Sequence, residues 1–251
     1  MKNITAIMIT LSLALLACAA HAGENGKPVP FPADKATGSV TGTVTFKGEA
    51  PKPTEILMSD NVCKEAHKDK PPMREDVLVD DKNHLANVFV YVAPESLAKY
   101  EFKSEAEHLI KQEGCRYLPH VLGVVVGDKV LCLNGDQTSH NVHTSPTANS
   151  PINLAQQPAA KDKILSAEDT EIAIKVKCDV HAWMTAYIFV LPHPKFAITA
   201  ADGSFKIEGL LPGKYKLCFW HERYAKDEEP KSVEITVEDG KAAKADFELS
   251  K

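Results

Sequence analysis

The chain has 251 residues, 44% hydrophobic and 25% charged, which is the composition of a folded globular protein and excludes a disordered one. That length allows one large domain or two small ones. A net charge of -5 without any basic stripe excludes nucleic acid as a partner, because phosphate binding takes clustered Lys and Arg.

The first residues address the compartment. Met1, Lys2 and Asn3 give a short positive start, 4–17 an apolar run, and Ala20-His21-Ala22 a cleavage site of small residues. This predicts a signal peptide over 1–22 and a periplasmic or otherwise exported protein. Leu15-Leu16-Ala17-Cys18 also resembles a bacterial lipoprotein box, so a lipid anchor at Cys18 and membrane attachment form the alternative. Residues 23–37, rich in Gly, Pro, Lys and Asp, read as a flexible linker.

Val40, Val44 and Phe46 share one parity in 38–46 and predict a strand. Four prolines (Pro51, Pro53, Pro71 and Pro72) interrupt the next part, and the charged run 64–70 reads as a solvated loop. The runs 77–79 and 88–92, separated by Asp80-Asp81-Lys82-Asn83, read as a hairpin or as neighbouring strands. Residues 96–111 have a weak helical pattern without enough apolar period for a regular helix. Residues 117–133 read as strand, turn at Gly127-Asp128, strand, followed at once by a loop carrying His140.

The stretch 144–162 reads as loop. The clean alternation of 171–178 puts Ile172, Ile174, Val176 and Cys178 on one strand face, and 185–191 is the returning strand. Beyond residue 193, short strands recur with Asp-Gly and Pro-Gly turns between them, an all-β composition.

Cys178, His181 and Met184 lie within seven residues, and His140 can reach them from a neighbouring strand end. A thiolate, two imidazoles and a weak axial thioether are the donor set of a blue-copper electron-transfer site. Structural zinc is the competing reading at ligand level, but it prefers more cysteines or carboxylates to a thioether. Taken singly, each of the four reads as an ordinary core or surface residue; the joint spacing points to one site. After removal of Cys18 the cysteine count is odd. A metal-bound Cys178 accounts for the odd one in an oxidising compartment. Cys63 and Cys115, both in polar surroundings, are the preferred disulfide. Cys132 and Cys218 lie in apolar strands, either bridged or as small buried hydrophobes.

Residues 103–192 resemble a cupredoxin. The resemblance is carried by Pro119, Val121, Val124, Gly127, Val130, Asn134 and Asp136, by His140-Asn141-Val142-His143, and by the Cys178, His181, Met184 spacing, which is similar to that of the amicyanins. It implies one type 1 copper held by His140, Cys178 and His181 with Met184 axial. It also implies that Asn141 braces the ligand loop, and that His181 reaches an apolar patch beside Ala182 and Trp183 where a redox protein partner docks. Thr199, Asp202-Gly203, Phe205, Ile207, Leu210, Pro212-Gly213 and Tyr215 resemble a carboxypeptidase regulatory-like β-sandwich.

The expected architecture is therefore all-β. A cupredoxin Greek-key β-sandwich (103–192) is inserted into a second small β-sandwich that is discontinuous in sequence (38–102 and 193–251). The expected function is single-electron transport by a secreted copper protein, with no catalytic residues and no enzyme activity of its own. The alternatives are a copper carrier without redox cycling and a structural sandwich that has lost its metal.

Overall fold

A computed structural model describes residues 26–224 and 230–249; the expected signal peptide and Cys18 lie outside the described residues. Strands dominate, and the α-helix among the described residues is the six-residue Asn61–Ala66. In one pair of sheets the first runs, in spatial order, Asn153–Gln156, His140–Ser145, Glu171–Lys177, Thr185–Leu191 and Val121–Val125. The second runs Lys161–Ser166, Lys129–Asn134, Glu107–Gln112 and Tyr117–Leu118. Alternate residues of both sheets, among them Ile110, Val124, Val130, Val142, Val176 and Ile188, meet in one core, the packing expected of two sheets face to face.

A second pair of sheets holds Phe196–Ile198, Phe89–Val92, Gly213–Trp220 and Lys231–Val237 on one side. On the other, Gly38–Phe46 pairs antiparallel with Ser204–Leu210 and parallel with Ala242–Lys244 and Phe247–Leu249. Val40, Val44, Val90, Val92, Phe205 and Leu217 belong to its core.

Several local expectations are corrected. Residues 77–79 form no hairpin with 88–92: Val79 makes one bridge to Leu85, and Phe89–Val92 pairs with Phe196–Ile198 and Gly213–Trp220. Glu107–Gln112 is a strand with only Ile110 and Gln112 buried, too little apolar content to mark its period. The stretch 144–162 contributes Asn153–Gln156 to a sheet; the residue it buries is Gln156, which accepts from Gln112 Nε2 at 2.8 Å, so polarity hid the strand. The stretch read as linker is pinned from Val29, where Val29–Pro30 pairs with Tyr100–Glu101 and the Phe31 ring stacks on Phe102. Cys132 and Cys218 are buried thiols.

The two pairs of sheets share a third apolar layer. Phe89–Val92 is buried at every residue, as a strand covered on both faces must be. Val90 and Val92 face the second core, while Phe89 and Tyr91 turn outward to meet Val121, Phe189 and Leu191 from the first pair of sheets. Phe89 stacks on Phe189 with ring centroids 3.9 Å apart. Gly123 leaves room for this: a Cβ there would lie 2.4 Å from the Phe196 ring and 2.7 Å from that of Phe89.

One polar tie spans the same junction. His120 Nε2 donates to Glu222 Oε1 at 2.6 Å, His120 Nδ1 to the Thr185 carbonyl at 3.0 Å, and the Tyr187 hydroxyl to Glu222 Oε2 at 3.1 Å. Burial disfavours a charged His120, but Glu222, with Glu75 behind it, outweighs burial and raises its pKa above the ordinary 6.5. Both ring nitrogens face acceptors, which only the imidazolium satisfies.

Phe89→Ala is expected to cost roughly 3–5 kcal/mol, the usual range for a buried aromatic, read as a lowered denaturant midpoint. Because the folded His120 pKa is raised, its contribution to stability is complete below pH 6.5 and is lost as the pH rises through the folded value. Melting temperatures of the parent protein should therefore fall more steeply than those of His120→Gln as the pH is raised through that window.

Candidate metal centre

The centre lies where two strands of one sheet end. Glu171–Lys177 delivers Cys178, and Lys177 pairs with Thr185 of the returning strand, so 178–184 must turn back within seven residues. Two backbone bonds close that turn: Cys178 N–H donates to the Met184 carbonyl at 3.3 Å and Met184 N–H to the His181 carbonyl at 2.9 Å. The neighbouring strand His140–Ser145 begins beside them, and Val142 on the parity of His140 is fully buried. The sequence alternation needs one correction. A register shift lies between Glu171 and Ile174, with Ala173 at φ 61°. It sends Ile172 to the layer between the sheet pairs, while Ile174 and Val176 lead into the core with Cys178.

His140, Cys178 and His181 are 1%, 2% and 2% exposed. Their donor atoms converge within 4.8 Å of one another: His140 Nδ1 lies 2.9 Å from His181 Nδ1, and Cys178 Sγ 3.8 Å from the same His181 nitrogen. Met184 is 1% exposed in the same core. The thiolate is fixed by backbone N–H groups of Asn141 and His181, each 3.3 Å from the sulfur.

Asn141 also braces the loop. Its Oδ1 accepts from Asp179 N–H at 3.1 Å and its Nδ2 donates to Asn153 Oδ1 at 2.6 Å. Trp183 is half-buried, its ring centroid 5.1 Å from that of His181, and its indole N–H donates to the Cys115 carbonyl at 3.0 Å. His143 points away and pairs with Asp179 at 2.8 Å.

Two groups around the centre had no role assigned from sequence. Asp136 Oδ2 accepts from His140 Nε2 at 2.8 Å, while its carboxylate also accepts the N–H groups of Gly114 and Cys115. A carboxylate on the outer nitrogen sets the tautomer that leaves Nδ1 as the ligand atom. Its spacing, four residues before His140, was the available signal.

The second group is a cover over His181. The resemblance implied that this imidazole reaches a surface patch. Instead its Nε2 faces Cys63 Sγ and Asp60 Oδ2, each at 3.9 Å. Asp60 caps the helix Asn61–Ala66, accepting from Val62 and Cys63 N–H, and Cys63 is joined to Cys115 in a disulfide. Val180 is 64% exposed, but the histidine beside it is closed off.

The electrostatics fit a cation. Burial alone would push the Cys178 thiol up, but His140 and the N–H groups of Asn141, His181 and Val180 outweigh it and hold the thiol below its usual value. Burial opposes charge on His140 too, yet Asp136 and the thiolate outweigh it and push the imidazole up to about 9. His181 is lowered, by burial and by the His140 cation. The centre thus favours negative charge on the Cys178 sulfur and positive charge on His140, and disfavours charge on His181. A soft cation can replace the His140 proton using the donors already in place. Asn141→Ala, which unpairs the Asp179 N–H and Asn153, should cost about 1–3 kcal/mol, measured by thermal unfolding.

No family model and no curated protein matches the chain. Among solved structures, a Cu-containing nitrite reductase from Thermus scotoductus is similar with a TM-score of 0.31 and 17% identity, over 37% of this chain and 23% of that one. A mutant amicyanin in its Cu(I) form gives 0.29 and 20%, over 33% and 79%. A purple cupredoxin from Nitrosopumilus maritimus gives 0.28 and 20%, over 33% and 97%. These likenesses are partial, and the reading of the centre rests on its own donor atoms.

Proposed function

We propose that His140, Cys178, His181 and Met184 would hold one type 1 copper ion, and that the protein carries single electrons between redox partners as an exported carrier rather than an enzyme. The observation that carries this reading is the convergence of two imidazole Nδ1 atoms and a thiolate inside 4.8 Å in a site closed to water. Copper bound there would supply a one-electron couple. The chain's part is to hold its donors still: the short 178–184 turn, the N–H bonds to sulfur, and Asp136 on the outer edge of His140 leave little to rearrange when charge changes. In this reading the copper domain spans 103–192, and 38–102 with 193–251 form the sandwich that carries it.

One observation favours the copper-carrier alternative: the four residues are 1–2% exposed, a burial that suits retention of a metal. Adding copper to the purified protein separates the two. Electron transport requires an intense visible thiolate-to-copper band, absent in Cys178→Ser, and a fast reversible voltammetric couple. A colourless Cu(I) complex that passes copper to an apo-acceptor supports the carrier instead. Asp136→Asn, which loosens the His140 tautomer, should weaken copper binding about 10–100-fold in a competition titration.

A further inference from the structure

Each ligand side chain of the centre is closed off from the surface. The outer nitrogen of His140 is held by Asp136 at 2.8 Å, that of His181 faces the Cys63 sulfur and Asp60 at 3.9 Å, and Cys178 and Met184 are 2% and 1% exposed. A partner's redox group therefore cannot meet a ligand directly. Among the described residues, the ring that meets a ligand imidazole and also reaches the surface is Trp183. It is half-buried, with its centroid 5.1 Å from that of His181 and the two planes tilted by 44°. Its place is fixed twice over: it sits within the 178–184 turn, and its indole N–H donates to the Cys115 carbonyl at 3.0 Å, on a segment tied by the disulfide to Cys63. Outside, Trp183 lines a surface cavity together with Tyr117, His120, Met184 and Thr185. An indole packs an apolar body inward and keeps an edge at the surface, and it is a residue type favoured where proteins meet partners.

We propose that the Trp183 ring is the bridge through which single electrons enter and leave the centre, so that a partner's redox group need only reach the exposed edge of this indole and not His181. The inference rests on the copper reading above and deepens it by naming the route. The step is one electron passing from Cu(I) in one molecule to Cu(II) in another by tunnelling through the indole π system. No bond forms or breaks, no proton moves, and the ring itself is neither oxidised nor reduced. Removing the π system takes the bridge away, whereas removing only the N–H leaves it. That difference separates a conducting role from one of anchoring the 178–184 turn to Cys115.

The test compares the full-length parent with Trp183→Phe, Trp183→Leu and Val180→Lys. In the copper-free proteins the indole emission is challenged with acrylamide. Trp220 is 7% exposed, so the quenchable part should belong to Trp183 and vanish in both of its variants; a parent with no quenchable part overturns the proposal. In the copper-loaded proteins, electron self-exchange is read from NMR line broadening in mixed Cu(I) and Cu(II) samples, with the visible band and reduction potential recorded for each. The expected result is that Trp183→Leu loses most of the exchange rate at an unchanged band and potential, while Trp183→Phe, which lacks the N–H but keeps a ring, retains it. Equal rates in Trp183→Leu and the parent overturn the proposal, as does an equal loss in Trp183→Phe, which marks an anchoring role. A loss confined to Val180→Lys, whose side chain is 64% exposed beside His181, also overturns it by moving the exit to the tip of the turn. An intact band and reversible couple with exchange untouched by either Trp183 variant removes this inference alone; a parent without that band or couple removes the function proposed above and this inference with it.

Discussion

A buried thiolate is costly unless positive charge and N–H groups surround it, and the architecture around Cys178 meets that demand. The sulfur is 2% exposed, so its partners must come from protein. Two backbone N–H groups point at it, and the His140 imidazole, held charged by Asp136, stands opposite. Asp136 in turn is oriented by the N–H groups of Gly114 and Cys115, which brings the disulfide segment into the same network. Loop closure, tautomer choice and the cover over His181 are thus linked parts of one arrangement around the buried Cys178 sulfur.

The centre is also mechanically tied to the rest of the molecule through the strand that follows it. Thr185–Leu191 starts next to Met184 and is buried on both faces beyond Tyr187. Ile188 and Val190 enter the core beneath the centre, whereas Phe189 and Leu191 enter the layer shared with Phe89 and Trp220. The His120–Glu222–Tyr187 bonds span the same junction at its polar end. Both sheet pairs therefore hold the strand that positions the ligand turn, and loosening their junction loosens the support of that turn.

Legibility from sequence followed chemistry and distance along the chain. The strand leading to Cys178 was readable because Ile174 and Val176 alternate with lysines, and Cys63 with Cys115 was readable from the cysteine count and setting. Ile172 was misplaced because a bulge leaves no mark in an alternating pattern. Asn153–Gln156 was missed because its buried member is a glutamine satisfied by another glutamine. In both cases the local string looks ordinary, and partners elsewhere decide its role.

What the sequence by itself determined is the tight loop that carries Cys178, His181 and Met184. The spacing of Cys178, His181 and Met184 is covalent, and the β-rich runs on either side allow only a short turn between strands. Tertiary structure alone decided that His181 is covered. Cys63 lies 118 residues from it in the chain, and the register of Asp60, the helix it caps and the disulfide is set by long-range packing that no local pattern encodes. The same holds for Gly38–Phe46, whose β-character is written in its valines while its partners, Ser204–Leu210, Ala242–Lys244 and Phe247–Leu249, are selected only when the whole chain closes on itself.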